Sequence, residues 1–471
     1  MGDSMKDSHA VVVGGSIAGL LAAAAAAKHL QRVTVLDRDP LPDEPVVRKG
    51  APQGSQAHVL LPPGERKIEE LLPGISDELI AAGCVRYNHT ADIPTLGSWG
   101  WHPRMQLRET EALGFRRPLL EHVIRRRLRG QENVEIRQGT VAGLLADEAK
   151  ENLVGVGLKG GEAVLGDLVI DAGGRGSKSS KWLRSLGFEA PELVEVRVHL
   201  GYATEFVEFA PGVLGDGTKG ILMPARVTLP RGFAILPADN GVYTLVANGF
   251  SRHYPPRDRE GVAEFLEGAP LPMFAELVRQ ARPVSDLTTY RMPGSMRRVW
   301  EGIESPPGRF CAIGDAVASL NPVYGQGVTM AAFGARHLDD ALGADGATLD
   351  SAPGSFQRAL AGDVDYAFAV SAGGDVRYPG AELENFAHPS PEEVEFLNGL
   401  EQLAPRDAAI TQAIAEATFG MRPEALQDEA IAARVAARPR DEQPPVDPGD
   451  YSTEVLPEPS LTGPNERNSD D

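Results

Sequence analysis

The feature that most constrains this chain is its opening. An apolar run from Ala10 to Val13 meets a glycine turn, Gly14-Gly15-Ser16-Ile17-Ala18-Gly19. An alanine-rich stretch from Ile17 to Leu30 follows, then a second apolar run, Val33 to Leu36, which ends at Asp37. Short apolar runs on either side of a slim helical stretch read as a βαβ unit. Small residues at the first, third and sixth places of such a turn let the backbone bend tightly, approach a pyrophosphate and pack helix on strand. Those places are Gly14, Ser16 and Gly19 here, so the middle one departs from glycine. Asp37 lies 23 residues after Gly14, where an acid can hold ribose hydroxyls, and the helix N-terminus offers free N–H groups to phosphates. The pattern predicts dinucleotide binding without choosing between NAD and FAD.

Further along, prolines and glycines from Pro40 to Pro63 read as loop, with Arg48, Gln53, Gln56 and His58 as its ligand-competent side chains. A basic helix is predicted from Pro118 to Arg129, and strands at Val134 to Arg137, Leu153 to Leu158 and Leu168 to Ile170. Alternation between residues 194 and 250 predicts an antiparallel sheet with one wet face. A strand from Arg309 to Ile313, a helix from Val328 to Leu342 and helix-compatible sequence over 355–436 complete the chain. The fold class is therefore α/β: a Rossmann-like domain, an inserted mixed or antiparallel β-sheet domain and C-terminal helices. The expected boundaries are 1–90, 110–190 and 291–345 for the nucleotide domain, 191–290 for the sheet, and 346–440 for the helices. Residues 441–471, with nine acids, one base and six prolines, are expected to be a disordered acidic tail.

Composition narrows the partners. With 66 acids against 46 bases the chain carries −20, which repels nucleic acid and anionic membranes. Cys84 and Cys311 are too few for a disulfide framework and have no metal-ligand spacing, so no metal site and a reducing, cytoplasmic setting are expected. The apolar stretch Ile17 to Ala27 is too short to span a bilayer and follows acidic Asp3 and Asp7, so neither a signal peptide nor stable membrane association is expected.

The segment Arg309-Phe-Cys-Ala-Ile-Gly-Asp315-Ala-Val-Ala-Ser-Leu-Asn-Pro322-Val-Tyr-Gly325-Gln-Gly327-Val-Thr-Met resembles the second FAD motif of the single-component flavoprotein monooxygenases, which include aromatic hydroxylases and squalene epoxidase. Leu168 to Ser177 falls where that family carries its Asp-Gly motif, with Gly173 at the usual Asp position. Val47 to His58, Glu69 to Gly74 and Arg117-Pro-Leu-Leu-Glu121 look like the actinobacterial branch that epoxidises polyene precursors of polyether antibiotics. The resemblance implies FAD as cofactor, NAD(P)H as reductant and O2 as co-substrate, with a C4a-hydroperoxyflavin as the oxygenating species. It implies FAD contacts from Gly14, Ser16, Ala18, Gly19, Asp37, Arg38, Arg48, Arg117, Val141, Asp315, Gly325, Gly327 and Val328. It also sets Pro322, Gly325 and Gln326 around the flavin ring.

Alkene epoxidation asks for no protein acid or base, which suits a sequence without a nucleophile triad. Phenol hydroxylation would want a base, for which His199, Tyr202, Tyr243 and His253 are candidates. Trp99-Gly-Trp101-His-Pro103 lacks the isoleucine and spacing of the halogenase Trp-x-Trp-x-Ile-Pro signature and precedes the Asp-Gly region. His58, Trp99, Trp101, Tyr202 and Phe233 are the expected substrate-pocket residues, for an apolar small molecule such as a polyene polyketide. The sequence-level expectation is an FAD-dependent epoxidase of secondary metabolism. An aromatic polyketide hydroxylase and a non-oxygenating flavin-binding protein are the alternatives, and the need for a separate flavin reductase stays open.

Overall fold

The opening unit folds as its pattern demands, into β1 (His9–Val13), α1 (Ile17–Ala26) and β2 (Arg32–Asp37). In the computed structural model, which describes residues 5–440, β1 and β2 run parallel with Val12 opposite Val35. Every residue of α1 except Ala18 is buried, as an alanine helix between layers must be. The helix stops at Ala26 instead of Leu30: the amides of Lys28 and His29 turn to the carbonyls three residues back, and both side chains reach Asp339, at 3.0 and 2.7 Å.

Five parallel strands form the first sheet, in the order Phe310–Ala312, Leu168–Asp171, β1, β2, Val134–Gln138. The helices Arg117–Arg129 and Gly327–Gly343 pack on α1. A three-stranded antiparallel meander (Val141–Ala146, Leu153–Leu158, Ala163–Leu165) adjoins Leu168–Asp171. The stretch expected as loop from Pro40 to Pro63 holds a turn of 3-10 helix at Pro52–Ser55. It also holds a short strand, Val59–Leu60, which pairs with Glu111–Gly114.

The second sheet is antiparallel and centred on the 17-residue strand Glu192–Glu208. Tyr243–Gly249, Arg231–Pro237 and Ile221–Met223 extend it on one side, Thr288–Val299 and Ala318–Ser319 on the other. Thr288–Val299 crosses residue 290 and lies wholly in this sheet. The helices Arg259–Glu267 and Met273–Gln280 cover one face, packing on Ala203, Phe233, Ile235, Leu245 and Ala247. The expected wet face is not wet. Tyr202 and Asn248 on that face are only 6% and 5% exposed, and the Tyr202 hydroxyl is taken up by Asn321 instead of solvent.

The C-terminal part is helical, as expected: Ala352–Asp375, Pro391–Leu403, Ala408–Thr418, Glu424–Gln427 and Glu429–Ala437. A strand within it, Glu382–Glu384, pairs with Glu192–Glu208. The acidic-tail expectation for 441–471 lies outside the described residues. Among the described residues no helix is long and apolar enough to cross a membrane.

Candidate functional site

In a parallel sheet the ligand edge is the one where strands end and turns to helices begin. Here the backbone itself builds that edge: Gly14 N–H donates to Leu36 O (2.8 Å), Ala172 N–H to Val13 O (2.9 Å) and Ile313 N–H to Asp171 O (2.9 Å). Gly14 adopts φ +111°, and a Cβ there would lie 2.4 Å from Ala172 O. Gly19 approaches even more closely, since its Cβ would sit 1.8 Å from Gly14 O. The result is a bare main-chain turn at the N-terminus of α1. Gly15 N–H donates to the Asp37 carboxylate (2.7 Å), and so does Asp39 N–H (2.9 Å). Arg38 is exposed beside it and donates to Gly50 O at 3.2 Å. Val141 is half-buried just past Gly139, whose N–H donates to Asp37 O at 2.7 Å.

One carboxylate organises the charges around this turn. Glu121, on the helix Arg117–Arg129, accepts from Arg48 Nη2 (2.8 Å), Arg117 Nε (2.9 Å) and the Ser16 hydroxyl. Arg117 Nη2 also donates to Ser16 Oγ at 2.7 Å, so the residue that departs from glycine is used through its hydroxyl. Arg48 lies 3.4 Å from Asp37 and is buried. Burial raises the Glu121 pKa, but Arg117, Arg48 and the hydrogen bonds outweigh it and bring it down to about 2. Sequence reasoning read Glu121 only as part of a motif. Its signal was the i, i+4 spacing from Arg117.

The edge continues to Asp315. Ala18 touches Gly314, where a Cβ would lie 2.5 Å from the Ala18 methyl. Burial shifts the Asp315 carboxyl upward, opposed by Arg117, Arg175 and Arg298. Arg298 donates to Ala316 O (3.2 Å) and Arg175 O (2.9 Å), fixing the turn beside it. Next comes the 3-10 turn Pro322–Tyr324, then Gly325 against Val59, then Gln326 as the residue preceding the helix Gly327–Gly343. Gln326 is 0% exposed, and among the described residues neither of its side-chain amide atoms has a hydrogen-bond partner, nor does the buried Thr329 hydroxyl. Buried polar atoms left unpaired cost stability unless a ligand satisfies them. Val328 is buried in the first turn of that helix.

Of the expected pocket residues the structure brings two to this edge. His58 donates from Nδ1 to Gln56 O (2.9 Å) and faces Arg117 through Nε2 (3.3 Å). Burial and Arg117 push its pKa down to about 3. Tyr202 Oη donates to Asn321 Oδ1 at 2.9 Å, and Gln56 bridges to the same sheet face through Thr204 (2.6 Å) and Thr288 (3.4 Å). Phe233 and Trp101 go elsewhere. Both belong to the core under the helices Arg259–Glu267 and Met273–Gln280, because strand alternation sends Phe233 to the face opposite Tyr202. Trp99 lies under the Arg406 guanidinium, 5.8 Å from the ring centre, also outside the edge.

The residues present fit FAD. A glycine turn and a carboxylate suit the adenosine diphosphate half, and Asp315 suits a polyol. Unpaired amide atoms of Gln326 at a helix N-terminus suit the polar edge of an isoalloxazine ring. No family model matches the chain. The fold is that of FAD-dependent monooxygenases. PqsL of Pseudomonas aeruginosa in complex with 2-aminobenzoylacetate is similar at TM-score 0.61 and 18% identity, over 79% of this chain and 97% of that one. The tetrameric 2-methyl-3-hydroxypyridine-5-carboxylic acid oxygenase gives 0.57 and 21% over 78% and 90%, and a triple mutant of the flavin-dependent brominase Bmp2 gives 0.60 and 16% over 91% and 97%. The chain belongs to the family of protein Rv3254 of Mycobacterium tuberculosis, to which it is 30% identical over 389 residues, 80% of this chain and 82% of that protein.

Proposed function

We propose that this chain is an FAD- and NAD(P)H-dependent monooxygenase that epoxidises an alkene of an apolar small molecule, a polyketide or polyether-type precursor. The observation that carries the flavin reading is the continuity of the edge. The glycine turn at Gly14–Gly19 and the unpaired amide of Gln326 are joined through the Ala18–Gly314 contact, so one extended ligand can span both. When bound, FAD supplies the reduction by NAD(P)H and the transfer of one oxygen atom from O2. The chain supplies the rest. The bare turn at Gly14 and Gly15 lets the pyrophosphate approach the N-terminus of α1, which presents its N–H groups to it, Asp37 holds the ribose, and Arg48 and Arg117, aimed by Glu121, flank the phosphates. Asp315 holds the polyol chain, and Pro322 to Gln326 with the helix Gly327–Gly343 set the ring environment. The sheet face with Tyr202 and the loop with His58 close the cleft against water.

Epoxidation is favoured over phenol hydroxylation by the state of the two titratable side chains that reach the edge, His58 and the base candidate Tyr202. His58 has both ring nitrogens engaged and is a poor base with its pKa at about 3, and burial pushes the Tyr202 phenol well above its usual value. Aromatic hydroxylation is the second reading, favoured by the aromatic compounds named for PqsL and the hydroxypyridine oxygenase. The test is a product screen: purified enzyme with NADPH, O2 and a panel of polyenes and polyphenols, read by mass spectrometry. Gain of one oxygen on an isolated alkene is expected; oxygen only on aromatic rings selects the second reading. Flavin that NADPH never bleaches under anaerobic conditions, with any substrate and with a flavin reductase added, overturns both in favour of a flavin-binding protein.

Asp315→Ala is expected to reduce retained flavin roughly tenfold or more, the loss of charge-assisted hydrogen bonds to a polyol. The ratio of flavin to protein absorbance after gel filtration measures it, and wild-type occupancy would remove Asp315 from the FAD site.

A further inference from the structure

We propose that Asp375, the last residue of the helix Ala352–Asp375, is a positioning residue that holds the Pro322–Gln326 turn through Asn321, so that the C-terminal helices set the geometry of the flavin-ring end of the site. The flavin part of this inference rests on the reading above. Asp375 is 0% exposed, and so is Asn321. Asn321 Nδ2 donates to both Asp375 oxygens, at 2.8 and 3.1 Å, and Tyr324 Oη donates to Oδ1 at 3.2 Å. The other end of the Asn321 amide accepts from Val323 N–H (3.1 Å) and Tyr202 Oη (2.9 Å). Asn321 N–H is shared between Ser295 Oγ (3.0 Å) and Ser371 Oγ (3.1 Å), themselves 2.7 Å apart. One carboxylate thus ties together the turn, the sheet strand Glu192–Glu208 and the helix.

Stability alone does not explain the acid. Arg377, two residues on, turns away to Glu401 (2.7 Å) and Asn398 (2.7 Å) and leaves Asp375 without a cation among the described residues. A buried carboxyl group without a cation costs free energy that an apolar side chain of similar size would not. What it provides is a fixed acceptor for two donors that belong to the turn. Tyr378 beside it stacks on Phe250 with centroids 4.3 Å apart, and Glu382–Glu384 pairs with the sheet. The chain just beyond Asp375 is therefore anchored to the sheet domain.

The same group is a titration point. Burial raises its pKa to about 7, against the hydrogen bonds from Asn321 and Tyr324, which lower it. The titratable and charged groups around it are Tyr202 and Tyr290 on the sheet, Tyr324 on the turn, Tyr378 and Arg377 after the helix, and Glu401 on the next helix. Burial first, and the Asp375 charge second, push Tyr202, Tyr324 and Tyr378 upward, so these phenols stay neutral near pH 7. The folded-state pKa is raised, so the contribution of Asp375 to stability is complete below its unfolded value of about 4 and is lost as pH rises through about 7.

Hydrogen exchange of the segment around residues 321–325 in FAD-free protein tests the positioning without any flavin. Asp375→Ala is expected to lower its protection about tenfold or more, with the Leu168–Asp171 strand unchanged. Asp375→Asn, which keeps an acceptor and is the milder change, is expected to retain protection. Wild-type protection, normalised to that strand, should fall between about pH 4 and 7 and level off above about 7, and that of Asp375→Asn should stay flat. In parallel, the midpoint potential of bound FAD should shift as pH passes through about 7 in wild type more than in Asp375→Asn. Unchanged protection of the turn in Asp375→Ala, or a pH response retained in Asp375→Asn, overturns the role of Asp375. A turn that loosens in Asp375→Ala while wild type binds no FAD upholds the positioning and overturns the flavin reading alone.

Discussion

Replacing Glu121 by alanine is expected to destabilise the fold by about 3–5 kcal/mol, the usual result of removing one partner from a buried charge cluster. Its side chain is only 5% exposed, as is that of Arg48, and Arg117 is 14% exposed. The substitution leaves two guanidinium groups and the Ser16 hydroxyl facing a hole. Arg48 keeps Asp37 at 3.4 Å and Asp39 at 3.7 Å, contacts too long to replace the 2.8 Å bond it loses. Glu121→Gln isolates the charge, because it keeps the volume. The Glu121 pKa is depressed to about 2, so its contribution is present above the unfolded value of about 4.5 and is lost as pH falls towards 2. Urea unfolding should therefore show Glu121→Gln weaker than wild type by about 3 kcal/mol at pH 7 but by only about 1 kcal/mol at pH 3. A gap that stays the same at both pH values removes the electrostatic explanation. The flavin content of both variants should fall as well, since Arg48 and Arg117 lose the group that aims them.

Glu121 also shows how far the sequence could be read. The βαβ opening was legible because strand, glycine turn and helix are consecutive and each is set by local periodicity and close packing. The strands Leu168–Asp171 and Phe310–Ala312 were legible as buried apolar runs, and their place beside β1 follows from parallel-sheet topology. The Ser16 departure from glycine could not be interpreted without Glu121 and Arg117, which lie over a hundred residues away and meet its hydroxyl only in the fold. Asn321 and Asp375, 54 positions apart, carry no periodic or motif signal that pairs them. Phe233 was misplaced for a different reason. Alternation shows that a strand has two faces but does not say which one meets the cofactor, and helices 259–267 and 273–280 claim that side. The wet face failed similarly: alternation marks a polar face without saying that it meets solvent, and Tyr202 and Thr204 on that face bond instead to Asn321 and Gln56.

Gly19→Ala is expected to be the most damaging single methyl group that can be added to the site, costing about 3 kcal/mol or more and yielding largely flavin-free protein. The new Cβ would lie 1.8 Å from Gly14 O and 3.2 Å from the Ala172 methyl. Neither neighbour can move freely. Gly14 is held by its bond to Leu36 O, and its own Cα faces Ala172 O so closely that no side chain fits there either. Relief has to come from α1 lifting off β1. Because α1 is buried by the helices Arg117–Arg129 and Gly327–Gly343, that shift spreads to the supports of both ends of the cofactor edge, Glu121 and Gln326. Gly362 supplies the contrast. It is exposed in the middle of the helix Ala352–Asp375 with nothing within 4 Å of a Cβ, so Gly362→Ala should stabilise by about 0.5–1 kcal/mol through helix propensity alone. Urea midpoints of the two variants, measured side by side, should move in opposite directions, and the flavin-to-protein absorbance ratio should fall in Gly19→Ala and stay at the wild-type value in Gly362→Ala. Gly19→Ala with a wild-type midpoint and full flavin would mean that the turn does not need the close approach of helix to strand on which the dinucleotide site depends.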